Sequence, residues 1–546
     1  MDNRQQPPTP APQEQSQAHE PKAQLPDPPP QKDSDASHEP KPIYQPIDSL
    51  FALASVIIGF LFAKALPVTQ NALGAMLCLL SWYLLGAAFL LRKGLRPKKR
   101  TLIYAAVTFL LSFGMITGGN TAVRTLLFLG LLAAFLYWCY ISAELDGGVL
   151  FASAPFAHLT EGILALPFSS LQHLCPALIA FRKKNENTQK ALKTLGGIGV
   201  GLLIAVIPTA IVVLLLSYDQ QFTDILKKLF SFSLDRVWKN IWQLALGFAF
   251  ALLLFGTLFG VLLRAKRPEN GAKGIFPANT HVVPKALLCA AATPLLAVYA
   301  IFFFSQWNYY VSAFTHRLPD GLTYAAYARE GFFQLCIVCA LNAVLLLIFN
   351  LLIQQKEERD LIKMIYSVII SVFTLILIAT AISKMVLYIS FYGLTQKRVY
   401  ASWLMLLLAT LFLLAILSQI KKRFRLFRAA AFACLLFAAL ITLPDVDGMI
   451  ASYNVDAYLS GKLTAVDVFS VDDYGASSVP ALIKLEQALS GDEQKTDDTS
   501  LLLAQARNAL TRIEAELDRQ PDGLFSFNIP DARAKRLLGE RLDQPN

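Results

Sequence analysis

Charged residues are scarce in this 546-residue sequence, at 16% of the total against 55% hydrophobic residues. Soluble globular domains have about 25% charged and about 45–50% apolar residues. The mean hydropathy is +0.47. This shortage of charge excludes an ordinary soluble enzyme, and the apolar surplus excludes a disordered scaffold. The composition therefore predicts a polytopic integral membrane protein.

Cysteine is also scarce, and all seven cysteines lie in apolar stretches. None lies after residue 444, so disulfides do not support the C-terminal region. Cys336 and Cys339 form a C-x-x-C pair, which indicates redox chemistry in a thioredoxin-like setting. Here the pair lies inside a long apolar run, so two small residues on a membrane helix is the favoured interpretation.

Motifs of known chemistry are missing as well. The sequence has no P-loop and no H-E-x-x-H motif, and its six histidines are scattered. It predicts no catalytic, cofactor-binding or metal-binding residue and no cofactor, and it leans against an enzyme without deciding the question. Residues 445–448 (DVDG) resemble the start of a calcium loop but lack its distal glutamate, so a turn and helix cap are favoured.

Charge is unevenly distributed among three regions. Residues 1–47 carry −3 and hold 12 of the 28 prolines, which predicts a disordered cytoplasmic arm. Residues 48–444 carry +21 and form the predicted transmembrane domain, whereas residues 445–546 carry −8. The positive excess lies between hydrophobic runs, where it orients a membrane protein. No nucleic-acid partner is therefore predicted.

The central region repeats apolar runs of about the 20 residues that an α-helix needs to cross a bilayer. We predict an all-α fold with about 11 transmembrane helices. They lie near 49–67, 72–91, 101–118, 123–142, 195–217, 240–263, 286–305, 332–354, 364–385, 402–419 and 429–443.

Lysine and arginine are concentrated in alternate breaks between these runs. One set of breaks holds 24 of them and the other holds 11. The positive-inside rule places the richer set in the cytoplasm. The N-terminus is then cytoplasmic and, with an odd number of spans, the C-terminus is extracytoplasmic. The predicted lipid environment is a plasma membrane.

Two apolar segments do not fit the simple pattern. Residues 157–180 are apolar enough to span, but Pro167 and Pro176 interrupt them, and spanning would reverse the orientation of a basic break. We favour an amphipathic hairpin on the cytoplasmic surface, with a spanning helix as the alternative. Residues 219–238 are similarly interpreted as an interfacial helix on the outer face.

The C-terminal region, 445–546, has helical periodicity and is predicted to form a small helical extracytoplasmic domain. The large acidic tail favours an envelope protein as the partner of this domain. The predicted helices lie near 447–459, 477–490, 499–519 and 529–541.

A candidate polar membrane site lies around spans eight and nine. Arg329 and Glu330 lie at the boundary of span eight, and Gln334 shares a helix face with Glu330. Lys384 lies at the matching depth of span nine, and Arg398 follows in the next break. We hypothesise that Glu330 and Lys384 form a pair. The functional interpretation of this pair is a ligand or ion site, and the structural interpretation is an ion pair that only fixes helix packing.

Several blocks resemble one known family. The blocks are YAAYAREGFFQL (324–335), YGLTQKRVY (392–400), the segment 450–485 and FSFNIPDARAKRLL (525–538), with LPFSSLQHL (166–174) and SYDQQFTDIL (217–226) before them. They are similar to the bacterial polytopic membrane family catalogued as a domain of unknown function (the 4153/4173 group). The resemblance covers roughly residues 100–540 and implies a bacterial integral membrane protein, but no ligand. The last block reads FSFN where the family has a Trp-Arg-like start, so that helix entrance is expected to pack differently.

Three functions remain open at this stage. The first is a non-enzymatic membrane protein with a signalling or envelope-associated interaction role. The second is a secondary transporter of a small solute that uses Glu330, Lys384 and Arg398, although the sequence shows no clear inverted repeat. The third, an intramembrane enzyme, is weakest because no catalytic constellation is present. The oligomeric state does not follow from the sequence.

Overall fold

A computed structural model of the protein describes residues 44–65, 71–146, 155–179, 234–266, 285–305, 332–352, 361–421, 424–491, 497–520 and 523–542. These residues form helices and turns and no strand, which confirms the predicted all-α fold. Residues 1–43 of the predicted disordered arm lie outside the described residues.

The α-helices are numbered here in chain order. They are α1 (Pro46–Ala65), α2 (Ala72–Arg92), α3 (Lys99–Ser112), α4 (Gly114–Thr117), α5 (Thr121–Ser142), α6 (Pro155–Thr160), α7 (Leu166–Ser169), α8 (Leu174–Ile179), α9 (Leu234–Ala265), α10 (Lys285–Ser305), α11 (Phe332–Leu352), α12 (Leu361–Tyr392), α13 (Gln396–Ile420), α14 (Leu426–Thr442), α15 (Val446–Leu459), α16 (Val468–Asp472), α17 (Val479–Ser490), α18 (Asp497–Arg519) and α19 (Ile529–Leu542).

Seven membrane-crossing helices are present in the described part of the chain by length and apolar character, which confirms a multi-pass membrane protein. They are α1, α2, α3 with α4, α5, α9, α12 and α13. The pair α14 and α15 qualifies only as a span bent by 59°, and the apolar parts of α10 and α11 are shorter. Of the predicted spans, 195–217 lies outside the described residues and the others coincide with helices. The total of about 11 stays a prediction.

Helices α1 and α9 cross with their backbones in contact. A Cβ atom added to Gly59 would lie 2.4 Å from the carbonyl oxygen of Gly247. Two glycines at one crossing allow the close approach that small residues provide in membranes. Beside the crossing, the ring of Phe62 packs on those of Trp82 and Phe250, with centroids 4.8 and 4.5 Å away. Aromatic packing therefore fills the core that the glycines bring together.

The proline-interrupted run forms a chain of short helices rather than one span. Helices α6, α7 and α8 alternate with a π-helix at Glu161–Ala165 and a 3-10 helix at Leu171–His173. The Ser49 hydroxyl on α1 donates to the carbonyl of Ala177 at 2.6 Å. Each of these helices is too short to cross a bilayer. This agrees with the hairpin interpretation, whereas its cytoplasmic location stays a prediction.

The prediction of a separate interfacial helix at 219–238 is wrong for residues 234–238. Residues from Leu234 onward belong to α9, a continuous helix of 32 residues, and residues 219–233 lie outside the described part. The physical reason is that no glycine or proline occurs between Leu234 and the apolar run, so nothing breaks the helix.

One end of this bundle is held by ion pairs. Lys93 at the end of α2 pairs with buried Asp48 at the start of α1, 2.5 Å apart. Arg100 donates to both carboxylate oxygens of Asp146, at 3.0 and 3.4 Å. The first contact joins the end of α2 to the start of α1, and the second joins the start of α3 to the residues that follow α5. Lys93 and Arg100, two of the basic residues in the orientation argument, thus lie at the same end of the bundle.

Helices α10, α11 and α12 share a buried hydrogen-bonded triad. The Tyr299 hydroxyl donates to the Asn342 side-chain oxygen at 2.7 Å. The Asn342 amide nitrogen donates to the Thr374 hydroxyl at 2.8 Å. The Thr374 hydroxyl in turn donates to the carbonyl of Ile370 on its own helix. Such bonds between apolar helices fix their register.

Helices α15, α17, α18 and α19 follow the four predicted runs, whereas the short helix α16 was not predicted. All five surround their own hydrophobic cluster. Val455, Leu482, Leu485 and Leu510 are among its most buried side chains. We refer to residues 446–542 as the tail helices. Whether they form a separate extracytoplasmic domain stays a prediction.

Candidate functional site

Arg398, one of the predicted site residues, connects two helices. Its guanidinium donates to the carbonyl oxygens of Tyr392 and Gly393, where α12 ends. It also lies 4.0 Å from the centre of the Tyr388 ring. A cation at the C-terminus of a helix is favourable because the last carbonyls have no partner within the helix. These contacts assign Arg398 a role in joining α12 to α13.

The other predicted site residues are only partly described. Lys384 is buried in α12, with 8% of its surface exposed, and Gln334 is exposed on α11. Arg329 and Glu330 lie outside the described residues. The Glu330–Lys384 pairing therefore stays a prediction.

A polar cavity lies elsewhere, where the N-termini of four helices meet. It has a volume of about 430 Å³ and is bounded by the starts of α5, α13, α15 and α19. We call it the junction cavity, because it lies where the tail helices contact the membrane helices. Its lining includes Gly119, Asn120, Arg124, Gln396, Asp447, Asp473, Tyr474, Ser477, Ile513, Glu516, Leu517, Gln520, Asn528 and Asp531.

Local capping explains why these helices begin at the cavity. The side chain of Asn120 accepts from the backbone N–H of Val123 at 3.0 Å, at the start of α5. Asp445 accepts in the same way from Gly448, at 3.1 Å, which confirms the capping role predicted for residues 445–448. Asn528 accepts from the backbone N–H of Asp531 at 2.8 Å. Each cap satisfies a helix N–H that has no partner within the helix.

Arg124 forms part of the buried floor of the cavity. It lies in the first turn of α5 and is 7% exposed. Its guanidinium donates to the carbonyl of Gly119 at 2.8 Å and lies within electrostatic range of Asp531, Asp447 and Asp445. A cation is unfavourable at a helix N-terminus, because the helix dipole is positive there. The surrounding carboxylates offset that cost.

Asp447 and Asp531 lie in the first turns of α15 and α19, where the helix dipole favours a negative charge. Burial raises the pKa of Asp447, while the hydrogen bond from Gln396 at 2.8 Å and the charge of Arg124 oppose the rise. Burial likewise raises the pKa of Asp531, opposed by Asn528 and Arg124. Desolvation therefore outweighs the favourable partners at both carboxyls.

Gly119 allows the tail helices to approach the end of α4. A Cβ atom at this position would lie 2.6 Å from the Ser477 hydroxyl and 3.0 Å from Oδ2 of Asp447. Any larger residue would push Ser477 or Asp447 away. The glycine thus allows Ser477 and Asp447 to pack against the backbone between α4 and α5.

The rim of the cavity is acidic and solvated. Asp473 and Glu516 are exposed and lie between the buried floor and solvent. Among the described residues that line the cavity, Arg124 is the single basic side chain. No group of three or more His, Cys, Asp or Glu residues suited to a metal ion occurs in the described ranges.

In the sequence, Arg124 is one charge of an outer break, and no motif distinguishes it. A signal was present, because an arginine in the first turn of an apolar helix opposes the helix dipole and needs compensation. The residues that compensate it lie more than 300 positions away, so the sequence offered no means of locating them.

The family described as a domain of unknown function (DUF4153) matches residues 79–485. The match covers most of the chain and extends from α2 to α17. The protein belongs to this family. The match includes Arg124 and Asp447 but ends before Glu516 and Asp531, so one wall of the junction cavity lies outside it. Comparison with curated proteins and with solved structures gives no match.

Proposed function

We propose that this DUF4153 protein is a non-enzymatic receptor of the bacterial plasma membrane, in which the junction cavity binds a small polar solute. The observation that carries the proposal is the position of the cavity between the tail helices and the starts of α5 and α13. A solute bound there contacts both parts of the protein. Its binding energy can then shift any equilibrium between two arrangements of the tail helices and the membrane helices.

The charges of the cavity favour a solute that carries a cationic group. The carboxylates of buried Asp447 and half-buried Asp531 face Arg124 and lie at helix N-termini, so protein groups already offset part of their charge. The exposed carboxylates of Asp473 and Glu516 have no comparable helix N-terminus. They form an acidic entrance that attracts cations and repels anions.

Calorimetric titration of the full chain in lipid nanodiscs with putrescine, and with acetate as the anionic probe, tests this proposal. We expect saturable binding of putrescine and none of acetate. Glu516→Gln should weaken the binding, whereas the matched variant Glu514→Gln should not, since Glu514 lies on the same helix but does not line the cavity. Equal affinity of these two variants, or the absence of saturable amine binding, would contradict the proposal.

The proposed orientation places the N-terminus in the cytoplasm and the cavity and tail helices outside. Its support is that the ion pairs of Lys93 and Arg100 lie at one common end of the bundle, as the positive-inside rule requires of the cytoplasmic side. An impermeant thiol reagent applied to intact cells should modify a cysteine placed at the exposed Ala504, and it should not modify one placed within 182–193. The reverse pattern would contradict the orientation.

A partner of the tail helices in the cell envelope is part of the same proposal. The acidic tail carries −8 and follows the membrane helices after Pro444. Because the tail helices also line the junction cavity, a partner bound to the tail can influence the cavity. Crosslinking from engineered positions on α18 in intact cells tests this role. Recovery of one defined envelope protein is the expected result.

A secondary transporter is the second candidate, favoured by the burial of Lys384 in an apolar helix of 32 residues. Ionisable residues within membrane spans are costly and often functional. Uptake of labelled putrescine into proteoliposomes separates the two candidates. Uptake that Glu330→Gln or Lys384→Met abolishes would establish transport, whereas binding without uptake supports the receptor.

A further inference from the structure

A short segment of the tail helices exposes four large apolar side chains and has no charge. Residues 523–529 read GLFSFNI, and we call them the apolar loop. Leu524 is 71% exposed, Phe525 60%, Phe527 44% and Ile529 45%. Large apolar residues seldom cluster in this way on the surface of a soluble protein. Such a patch marks contact with a partner or a membrane.

The loop lies against the first turn of α2. The Cβ atom of Phe525 is 3.3 Å from where a Cβ atom on Gly74 would lie. Helix α2 has 21 residues and ends at Arg92, so it is about 32 Å long, close to the hydrocarbon thickness of about 30 Å. Its first turn therefore lies at one boundary of the hydrocarbon. The apolar loop lies at the same depth.

The loop also continues the lipid-facing side of α2. The exposed leucines of this helix are Leu77, Leu84 and Leu91, which are seven residues apart and share one face. Gly74 precedes Leu77 by three residues and lies beside that face. The exposed face of α2 therefore ends about one turn from the residue that Phe525 covers.

We infer that the apolar loop inserts its side chains into the lipid leaflet at the Ala72 end of α2 and anchors the tail helices to the bilayer. The occupant of this surface is lipid, because its neighbour along α2 is a face that lipid covers. Insertion of Leu524 and Phe525 removes apolar area from water. This inference does not depend on the junction cavity having a ligand.

An environment-sensitive fluorophore on the full chain tests the inference. Leu524→Cys is labelled and reconstituted in vesicles of phosphatidylethanolamine and phosphatidylglycerol, with plain acyl chains or chains brominated near the headgroup. The wild-type chain, labelled in parallel, supplies the background of its seven native cysteines. Phe527→Cys is the second loop position, so the test does not depend on one variant.

The matched control is Leu501→Cys, an exposed leucine at the opposite end of α18 from the residues that line the cavity. Leu501 is 12 residues before Ile513, which places it about 18 Å farther along the helix. It should lie in water. A label there should not respond to brominated lipid.

We expect brominated chains to quench the label at 524 and 527 and to leave the label at 501 unchanged, while aqueous iodide quenches mainly the label at 501. Equal access of iodide to all three positions, without quenching by bromine, would overturn the inference. Protection of 524 from both quenchers would also overturn it, because the loop would then contact a second copy of the chain.

Discussion

Replacement of Arg124 by methionine removes the cation from the floor of the junction cavity and keeps most of the side-chain volume. Arg124 is 7% exposed and Asp447 is 3% exposed, so the substitution leaves a buried carboxylate without its nearby cation. Removing one partner of a buried charge pair costs about 3–5 kcal/mol. We expect about 3 kcal/mol, at the low end of that range, because Asp531 is only half-buried and Asp447 keeps its bond from Gln396.

The cost depends on pH in a direction that the structure determines. The folded-state pKa of Asp447 is raised above its ordinary value of 3.8, so the folded state binds this proton more tightly than the unfolded state. Stability from this group therefore falls as the pH rises above that value. Loss of Arg124 raises the folded-state pKa further. The variant should lose more stability near neutral pH than in acid.

Hydrogen exchange of the full chain in nanodiscs measures the effect. About 3 kcal/mol corresponds to exchange about a hundredfold faster in α15 and α19, if these helices exchange by separating from α5. Arg519→Met, at an exposed position on α18, is the control and should change little. Unchanged exchange of α15 and α19 in the Arg124 variant, or a larger loss in acid, would refute the reasoning.

Two further predictions concern packing and the tail helices. Gly119→Ala should lower the thermal midpoint, by a cost of about 1–3 kcal/mol, because the new Cβ would lie 2.6 Å from the Ser477 hydroxyl. Gly130→Ala has open space and is the control, and equal midpoints for the two variants would contradict the prediction. Burial acts to raise the pKa of Glu486, but hydrogen bonds from Arg541 and Arg507 outweigh it and the pKa is lowered. Its contribution to stability should be present above its ordinary value of 4.5 and lost as the pH falls through the lowered pKa. Thermal melts of Glu486→Gln should lack this acid loss, and an unaltered pH profile would contradict the assignment.

Most helix positions were predictable because hydropathy is a local property. In the hydrocarbon, the backbone N–H and C=O groups of a run such as 72–91 must form hydrogen bonds with one another, and α2 occupies nearly the same residues. The tail helices were predictable for a related reason, since periodic apolar residues must face a common core. The continuity of α9 from Leu234 was missed because a polar stretch was interpreted as a break.

The candidate site was less predictable. The sequence singled out Arg398, and the structure places its guanidinium on the carbonyls that end α12, where it joins two helices. Charge alone did not distinguish this role from ligand binding. The junction cavity was not predicted at all, because each of its polar residues is an ordinary cap or turn residue when considered in its own segment.

The amino-acid sequence alone determined that this protein is an α-helical, multi-pass membrane protein. The reason is that the cost of burying backbone and charge in lipid depends on the residues of each segment by itself. Only the tertiary structure decided that Arg124 faces Asp447 and Asp531, and that Phe525 packs beside Gly74. These partners are separated by more than 300 residues, and no local pattern records such contacts. They follow from how the helices pack, which depends on the fit of many side chains at once.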